Sequence, residues 1–250
     1  MLKLKKGKNK KGGELNMVIF ENKGIVYELN LSSKKAIVKY ANPMIQKAKI
    51  LENIQGCVVE TIESRAFYFC EKLKEIVIPD SIKNIKNQAF CGCKKLNHIN
   101  SNNSLNVEIV GFYVFKGCSN LKQVKFNNLK LLGKGCFENC LSLDNVVFPK
   151  NGFKVLEENV FYNNPSLKSF TFPKGLELVK NNFNKCESLE QLTFFNKDLE
   201  VRNFILNISK ECILYGDDGY KVQEMALYGY KFILRQYEYL YNSWGANSNI

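Results

Sequence analysis

The sequence predicts a β-rich repeat solenoid, with one short parallel strand per coil and β/α units closing its ends. Three observations predict it. A residue frame recurs six times, every change in length falls in one connection per unit, and each frame ends in an apolar–other–apolar alternation that suits a strand with one buried face.

The frame is anchored on Phe67, Phe90, Phe115, Phe137, Phe161 and Phe183, at steps of 23, 25, 22, 24 and 22 residues. Five residues before each anchor stands an apolar side chain: Ile62, Ile85, Val110, Leu132, Leu156 and Leu178. Three after it come Cys70, Cys93, Cys118, Cys140, Asn164 and Cys186, and six after it always a leucine, from Leu73 to Leu189. Nine after it the position is apolar again (Ile76, Ile99, Val124, Val146, Phe170, Leu192). Eleven after it stand Ile78, Phe126, Phe148, Phe172 and Phe194, with Ser101 the single exception.

These positions span a rigid frame of 17 residues, and the connections between frames hold 6, 8, 5, 7 and 5 residues. Confinement of the variation to one site is what stacked coils produce, because an insertion is tolerated only where a loop leaves the core. In "LKEIVI" (Leu73 to Ile78) the last three residues alternate in, out, in, as a strand with one buried face requires. The anchor Phe fills the interior from the opposite side. Its burial contributes about 2–3 kcal/mol, which one coil alone could not capture.

The units "IESRAFYFCEKLKEIVIP" and "IKNQAFCGCKKLNHI" resemble BspA-type leucine-rich repeats, in which an apolar residue, a small residue followed by Phe, a Cys, a Leu and a strand ending in Ile-Pro recur. The resemblance covers about Ile62 to Phe194 and implies a right-handed leucine-rich-repeat superhelix. It also implies protein–protein contacts or, for many members, adhesion to host proteins or cell surfaces. Departures are Ser101 at a core position, Asn164 with Pro165 in place of Cys, and no small residue before Phe115 or Phe137.

The ends fit such an array. "GIVYELNLSSKKAIVKY" (Gly24 to Tyr40) reads as two alternating strands around a polar turn, similar to the hairpin that precedes these repeats. "CILYGDDGYKVQEMALYGYKFI" (Cys212 to Ile233) resembles their closing unit of strand, turn, helix and strand. The expected division is a basic flexible segment 1–16, a β cap 17–55, a six-repeat array 56–204, a capping unit 205–234 and an aromatic tail 235–250.

Nine cysteines cannot all pair with one another, and reduced thiols are the simpler reading. "CGC" (Cys91, Cys93) and "GCFENC" (Cys136, Cys140) bring thiols close, yet the frame cysteines recur at the repeat period, whereas a zinc site needs four convergent ligands. Asn164 occupies the same slot, which suits a small, partly polar packing position. The column is expected to be buried and inert; Cys57, Cys91, Cys136 and Cys212 lie off it and are expected to be structural.

Little points to catalysis. His98 is the only histidine, so a histidine dyad or multi-histidine metal site is excluded, and its place in "LNHI" is outward. "LLGKGC" (Leu131 to Cys136) lacks the Lys-Ser or Lys-Thr of a phosphate loop and reads as a turn of the frame. "YGDDGY" (Tyr215 to Tyr220) lacks the further oxygen ligands of a calcium loop. The expectation is a protein that is not an enzyme and takes no metal or cofactor.

Binding remains. The outward sheet face predicted by the alternation has a central column of Val77, Asn100, Lys125, Val147, Thr171 and Thr193, and beside it Glu75, His98, Gln123, Asn145, Ser169 and Gln191. These side chains mostly form hydrogen bonds and carry no charge, so the face suits a protein or cell-surface ligand, although it lacks the Trp, Tyr and Arg anchors of tight hot spots. The alternative is an intracellular module steered to nucleic acid or anionic membrane by six lysines between Lys3 and Lys11, which supply half of the net charge of +12. That segment has no arginine and no interleaved aromatics, which favours a solvated tail over a nucleic-acid site. "MLKLKKGKNKKGG" has no apolar stretch of secretory form, and no run reaches the roughly 20 apolar residues of a membrane-spanning helix. A monomer in the cytoplasm is the default expectation, with the cell surface or unconventional secretion as the alternative.

Overall fold

The computed structural model describes residues 2–4, 7–8, 14–15, 17–100, 104–149, 152–195, 199, 208–216 and 229–234. Six coils stack so that the anchor rings form a column through the core. Centroids lie 5.0 Å apart for Phe67–Phe90, 5.5 Å for Phe90–Phe115 and Phe115–Phe137, 5.9 Å for Phe137–Phe161 and 5.5 Å for Phe161–Phe183. All six rings are buried, so the hydrophobic gain of each depends on its neighbours above and below.

Each coil contributes to two strand ladders, where the sequence predicted one strand per coil. The first runs in three pieces and holds the predicted strands Glu75–Val77 and His98–Ile99, then Gln123–Phe126 and Asn145–Val147, then Ser169–Thr171, Gln191–Thr193, Ile213–Gly216 and Lys231–Leu234, and it adds Lys47–Lys49 to the first piece and Ser104–Leu105 to the second. The second is built from two-residue strands just before the anchors, Asn84–Ile85, Ile109–Val110 and Leu131–Leu132, and from Val155–Leu156 with Leu178–Val179. Strands of two residues leave no alternation to read, which is why this ladder is absent from the sequence pattern.

The amino-terminal hairpin is as expected. Ile25–Asn30 pairs antiparallel with both Met17–Asn22 and Lys35–Ala41. Lys35–Ala41 then pairs parallel with Cys57–Ile62, which itself pairs with Asn84–Ile85, so the hairpin runs into the second ladder and closes that end of the core. At the other end Ile213–Gly216 and Lys231–Leu234 extend the first ladder. The expected capping helix falls on residues 217–228, outside the described residues, as does the tail 235–250.

Turns repeat as strictly as the core. Two residues before the anchor, Arg65, Gln88, Tyr113, Gly135 and Asn159 take positive φ; two residues after it, Phe69, Gly92, Gly117, Asn139, Asn163 and Lys185 do the same. Left-handed backbone on either side of the first five anchor Phe residues turns the chain around the ring, and the amide of Phe67, Phe90, Phe115 and Phe137 donates to the next coil at 2.7 to 3.0 Å. Glycine is demanded by close approach at Gly133, where an added Cβ would lie 2.5 Å from the carbonyl carbon of Gly111 in the adjacent coil.

Two positions depart from the frame. Ser101 falls in 101–103, outside the described residues, and the core place predicted for it is filled by Leu105, which is fully buried and lies opposite Phe126. Before Phe183 the apolar slot belongs to Val179, opposite Leu156, while Leu178 is half-buried. The last coil is one residue shorter there, and Phe183 itself adopts φ 65°. Buried Asn182 makes up the difference: its Oδ1 accepts from the Phe161 amide at 3.2 Å and its Nδ2 donates to the Glu157 carbonyl at 2.7 Å.

Candidate binding face

The cysteine column decides whether thiols are available for chemistry. The Sγ of Cys93, Cys118, Cys140 and Cys186 donates to the main-chain oxygen of the anchor Phe one coil earlier, at 3.1, 3.2, 3.0 and 3.0 Å. Asn164 plays the same part, since its Nδ2 donates to Phe137 O at 3.0 Å, and its Oδ1 accepts from the Cys140 amide. The slot therefore requires a short donor, and both residue types supply one. All nine cysteines are free and buried, including the four off the column. Burial pushes the Cys70 thiol up to about 11 and those of Cys136, Cys186 and Cys212 up to about 12, which keeps them protonated and poorly nucleophilic at neutral pH.

The predicted face is brought together by the first ladder. Glu75 lies opposite His98, Gln123 opposite Asn145, Lys125 opposite Val147, Ser169 opposite Gln191, and Thr171 opposite Thr193. His98, Gln123, Lys125, Asn145, Ser169 and Thr171 are exposed, as are Val77 at 44% and Val147 at 41%. The Glu75 carboxyl is held below its ordinary value by its hydrogen bond to Lys47, whose Nζ lies 2.9 Å away.

Two predicted members do not serve as free face residues. Thr193 is buried, at 9% exposure, with the large Tyr215 beside it in register and the Gln191 amide 3.2 Å from its hydroxyl; Gln191 is itself half-buried. Asn100 has φ 55° and is tied to the main chain: its Oδ1 accepts from the Ile78 amide and its Nδ2 donates to Ser104 O, both at 2.7 Å. It closes the strand His98–Ile99 and holds Ser104 to Ile78, so its polarity is structural.

The face also extends beyond the sequence reading. Lys47 and Lys49 lie opposite Glu75 and Val77, one strand ahead of the first frame, and Tyr215 continues the central column after Thr193. The alternation in "KAKI" was a usable signal, but Ala48 where the repeats place a larger apolar residue hid it.

Within the face a groove of about 500 Å³ opens along Asn145–Val147 and Ser169–Thr171, reaching Phe148, Phe172 and Lys174. Among the described residues no group of three or more His, Cys, Asp or Glu side chains is arranged to hold a metal ion.

The BspA type leucine rich repeat region is matched in six copies, over residues 60–190 and 104–212. The chain belongs to the BspA-type leucine-rich-repeat family. Solved structures agree in fold. A leucine rich repeat protein of T. pallidum is 20% identical with a TM-score of 0.62, the match covering 86% of this chain and 97% of that one. A leucine rich cell surface protein of Faecalibacterium prausnitzii is 22% identical with a TM-score of 0.57, over 74% of this chain. This BspA-type chain spans only 57% of the Faecalibacterium protein's length. No curated protein matches it in sequence. Among the described residues no helix is long and apolar enough to cross a membrane.

Proposed function

We propose that this leucine-rich-repeat chain is a non-enzymatic scaffold that docks a polypeptide against the exposed face of its first ladder. The observation that carries the reading is a set of exposed side chains, Gln123 and Lys125 in register with Asn145 and Val147, and Ser169 and Thr171 on the following coil, above a core to which the rings and thiols are committed. Such a face offers hydrogen bonds with no main-chain ordering cost, because the ladder has already fixed the main chain. Attachment at a cell surface is the finer form of the proposal, supported by the cell surface description of the Faecalibacterium protein.

The test compares the wild type with the double variant Gln123→Ala/Lys125→Ala as bait for host-cell extracts. Proteins retained by the wild type should be lost from the variant while its thermal melt stays in place. An unchanged set of retained proteins would make the face a solvated surface only. Surface labelling of intact cells against fractionation tests the location.

A further inference from the structure

At one junction both strand ladders are interrupted, and the coils are joined there by the turns around the rings, through the Gly135, Phe137 and Asn139 amides. The first ladder stops at Asn145–Val147 and restarts at Ser169–Thr171, and the second stops at Leu131–Leu132 and restarts at Val155–Leu156. Both interruptions fall between the coils of Phe137 and Phe161, whose rings show the widest anchor spacing, 5.9 Å. Ion pairs bridge neighbouring coils on both sides of it, as in Lys130–Glu108 and Lys154–Glu177, and among the described residues none crosses it. The junction is also where Asn164 replaces Cys, its longer side chain spanning the gap by two hydrogen bonds.

The groove opens at this seam. Its walls include Val146 and Phe170, the inward residues of the two strands, which form its floor although only 6% and 3% exposed. Pro149 and Pro173, which have no amide hydrogen, follow Phe148 and Phe172 along its far side. Val147 and Thr171 form its outer lip. Among the described residues Lys174 is the only charged one in the lining, its Nζ held 5.4 Å from the Phe195 ring centroid, and no carboxylate is present there.

We propose that this seam groove receives a short stretch of polypeptide in which an aromatic or large aliphatic side chain stands beside a carboxylate. The proposal rests on the reading that the sheet face engages a polypeptide, and it names the recognised element. The apolar walls take the side chain, and a volume of about 500 Å³ falls within the range that holds a small ligand or a residue or two of peptide. Lys174 supplies the one charge of the lining, so a carboxylate is favoured over an amide or an amine. The main chain of Asn145–Val147 is paired in a ladder only with Gln123–Phe126, and that of Ser169–Thr171 only with Gln191–Thr193, so the facing edges lie outside any ladder.

The probes are N-acetyl-phenylalanine and its amide, titrated into the isotopically labelled full chain and followed by NMR at Val147, Thr171 and Lys174. The acid should bind in the range of about 1 mM, as suits a fragment of its size, and the amide several-fold more weakly. Lys174→Gln should bring the acid down to the level of the amide without moving the melt, and Thr171→Glu on the outer lip should abolish acid binding. Absence of shifts at these residues, shifts confined to another surface, equal binding of acid and amide, or an inert Lys174→Gln would each overturn the proposal. Gln123 and Lys125 do not line the groove, so the two readings fail separately. Lost acid selectivity with partner binding still sensitive to Gln123→Ala/Lys125→Ala sinks the groove alone; preserved acid selectivity with partner binding indifferent to that double variant sinks the face reading alone.

Discussion

The thiol of Cys93 donates to the main-chain oxygen of Phe67 across 3.1 Å, and the same link recurs from coil to coil. A cysteine column at the repeat period is thus a line of hydrogen bonds that gives the ring residue's carbonyl a second donor, beside the main-chain amide three residues on in its own coil. A carbonyl oxygen has two lone pairs, and the column's donors fill the second one across coils.

Thiol reagents should find little to attack in the native protein. None of the nine cysteines is exposed, so labelling should be slow in the folded chain and reach nine per molecule after denaturation. Rapid native labelling of Cys93, Cys118 or Cys140 would contradict the packing.

Stability should fall at alkaline pH. In the unfolded chain a thiol ionises from about pH 8.5, whereas burial raises Cys70 to about 11 and Cys136 and Cys186 to about 12 in the fold. The folded state therefore holds protons that the unfolded state has released. The contribution is intact below the unfolded value and is lost as pH rises towards the folded one, by about 1.4 kcal/mol per pH unit for each thiol. Urea melts between pH 7 and pH 11 under reducing conditions should show this, with a shallower decline for Cys118→Ala. An identical slope in that variant would assign the decline to other groups.

Asn164→Ala should cost about 1–3 kcal/mol, because it removes one of two donors to the Phe137 carbonyl and leaves the Cys140 amide only its longer bond, 3.4 Å to that carbonyl. Asn164→Cys restores only the donor and should cost less. Chemical denaturation ranks the two, and the reverse order would show that packing volume outweighs the hydrogen bonds.

Phe137→Ala should cost about 3–5 kcal/mol. The ring sits between Phe115 and Phe161, at 5.5 and 5.9 Å, so the cavity would be walled by two stacked coils that cannot easily collapse. A loss below about 1 kcal/mol would mean that the coils close over the gap.

Hydrogen exchange should be faster at the seam than in the coils on either side. Amides of Asn145–Val147 and Ser169–Thr171 belong to ladders on one side only, while Gln191–Thr193 is paired on both. Uniform protection along the array would mean that the interrupted ladders do not loosen the junction.

Removing residues 1–13 deletes six lysines. Any affinity for nucleic acid should collapse and lose its salt dependence, while binding through the sheet face stays as it was. Nucleic-acid binding with an unchanged salt slope in the truncated chain would move the basic site into the array. The side chains of this segment lie outside the described residues, so the experiment is the direct test.

The sequence by itself determined the repeat, its anchors and the inward side of each coil, because a stacked core demands the same residue type at the same place in every turn. Phe115, Cys118, Leu121 and Val124 could be read this way, and all four are buried. It also indicated the outward face wherever the strands run undisturbed, as at Gln123 and Lys125. Only the tertiary structure decided the rest. Leu105 takes the place expected of Ser101, and Val179 that of Leu178, because a coil is closed by whichever side chain reaches the core after an insertion or a deletion, and spacing alone does not show the detour. Asn100 and Thr193 left the exposed set for reasons that lie between coils: hydrogen bonds to the main chain of two strands, and burial beside Tyr215. The seam was invisible for the same reason. A ladder is a property of two coils together, and each of these two, read alone, fits the frame.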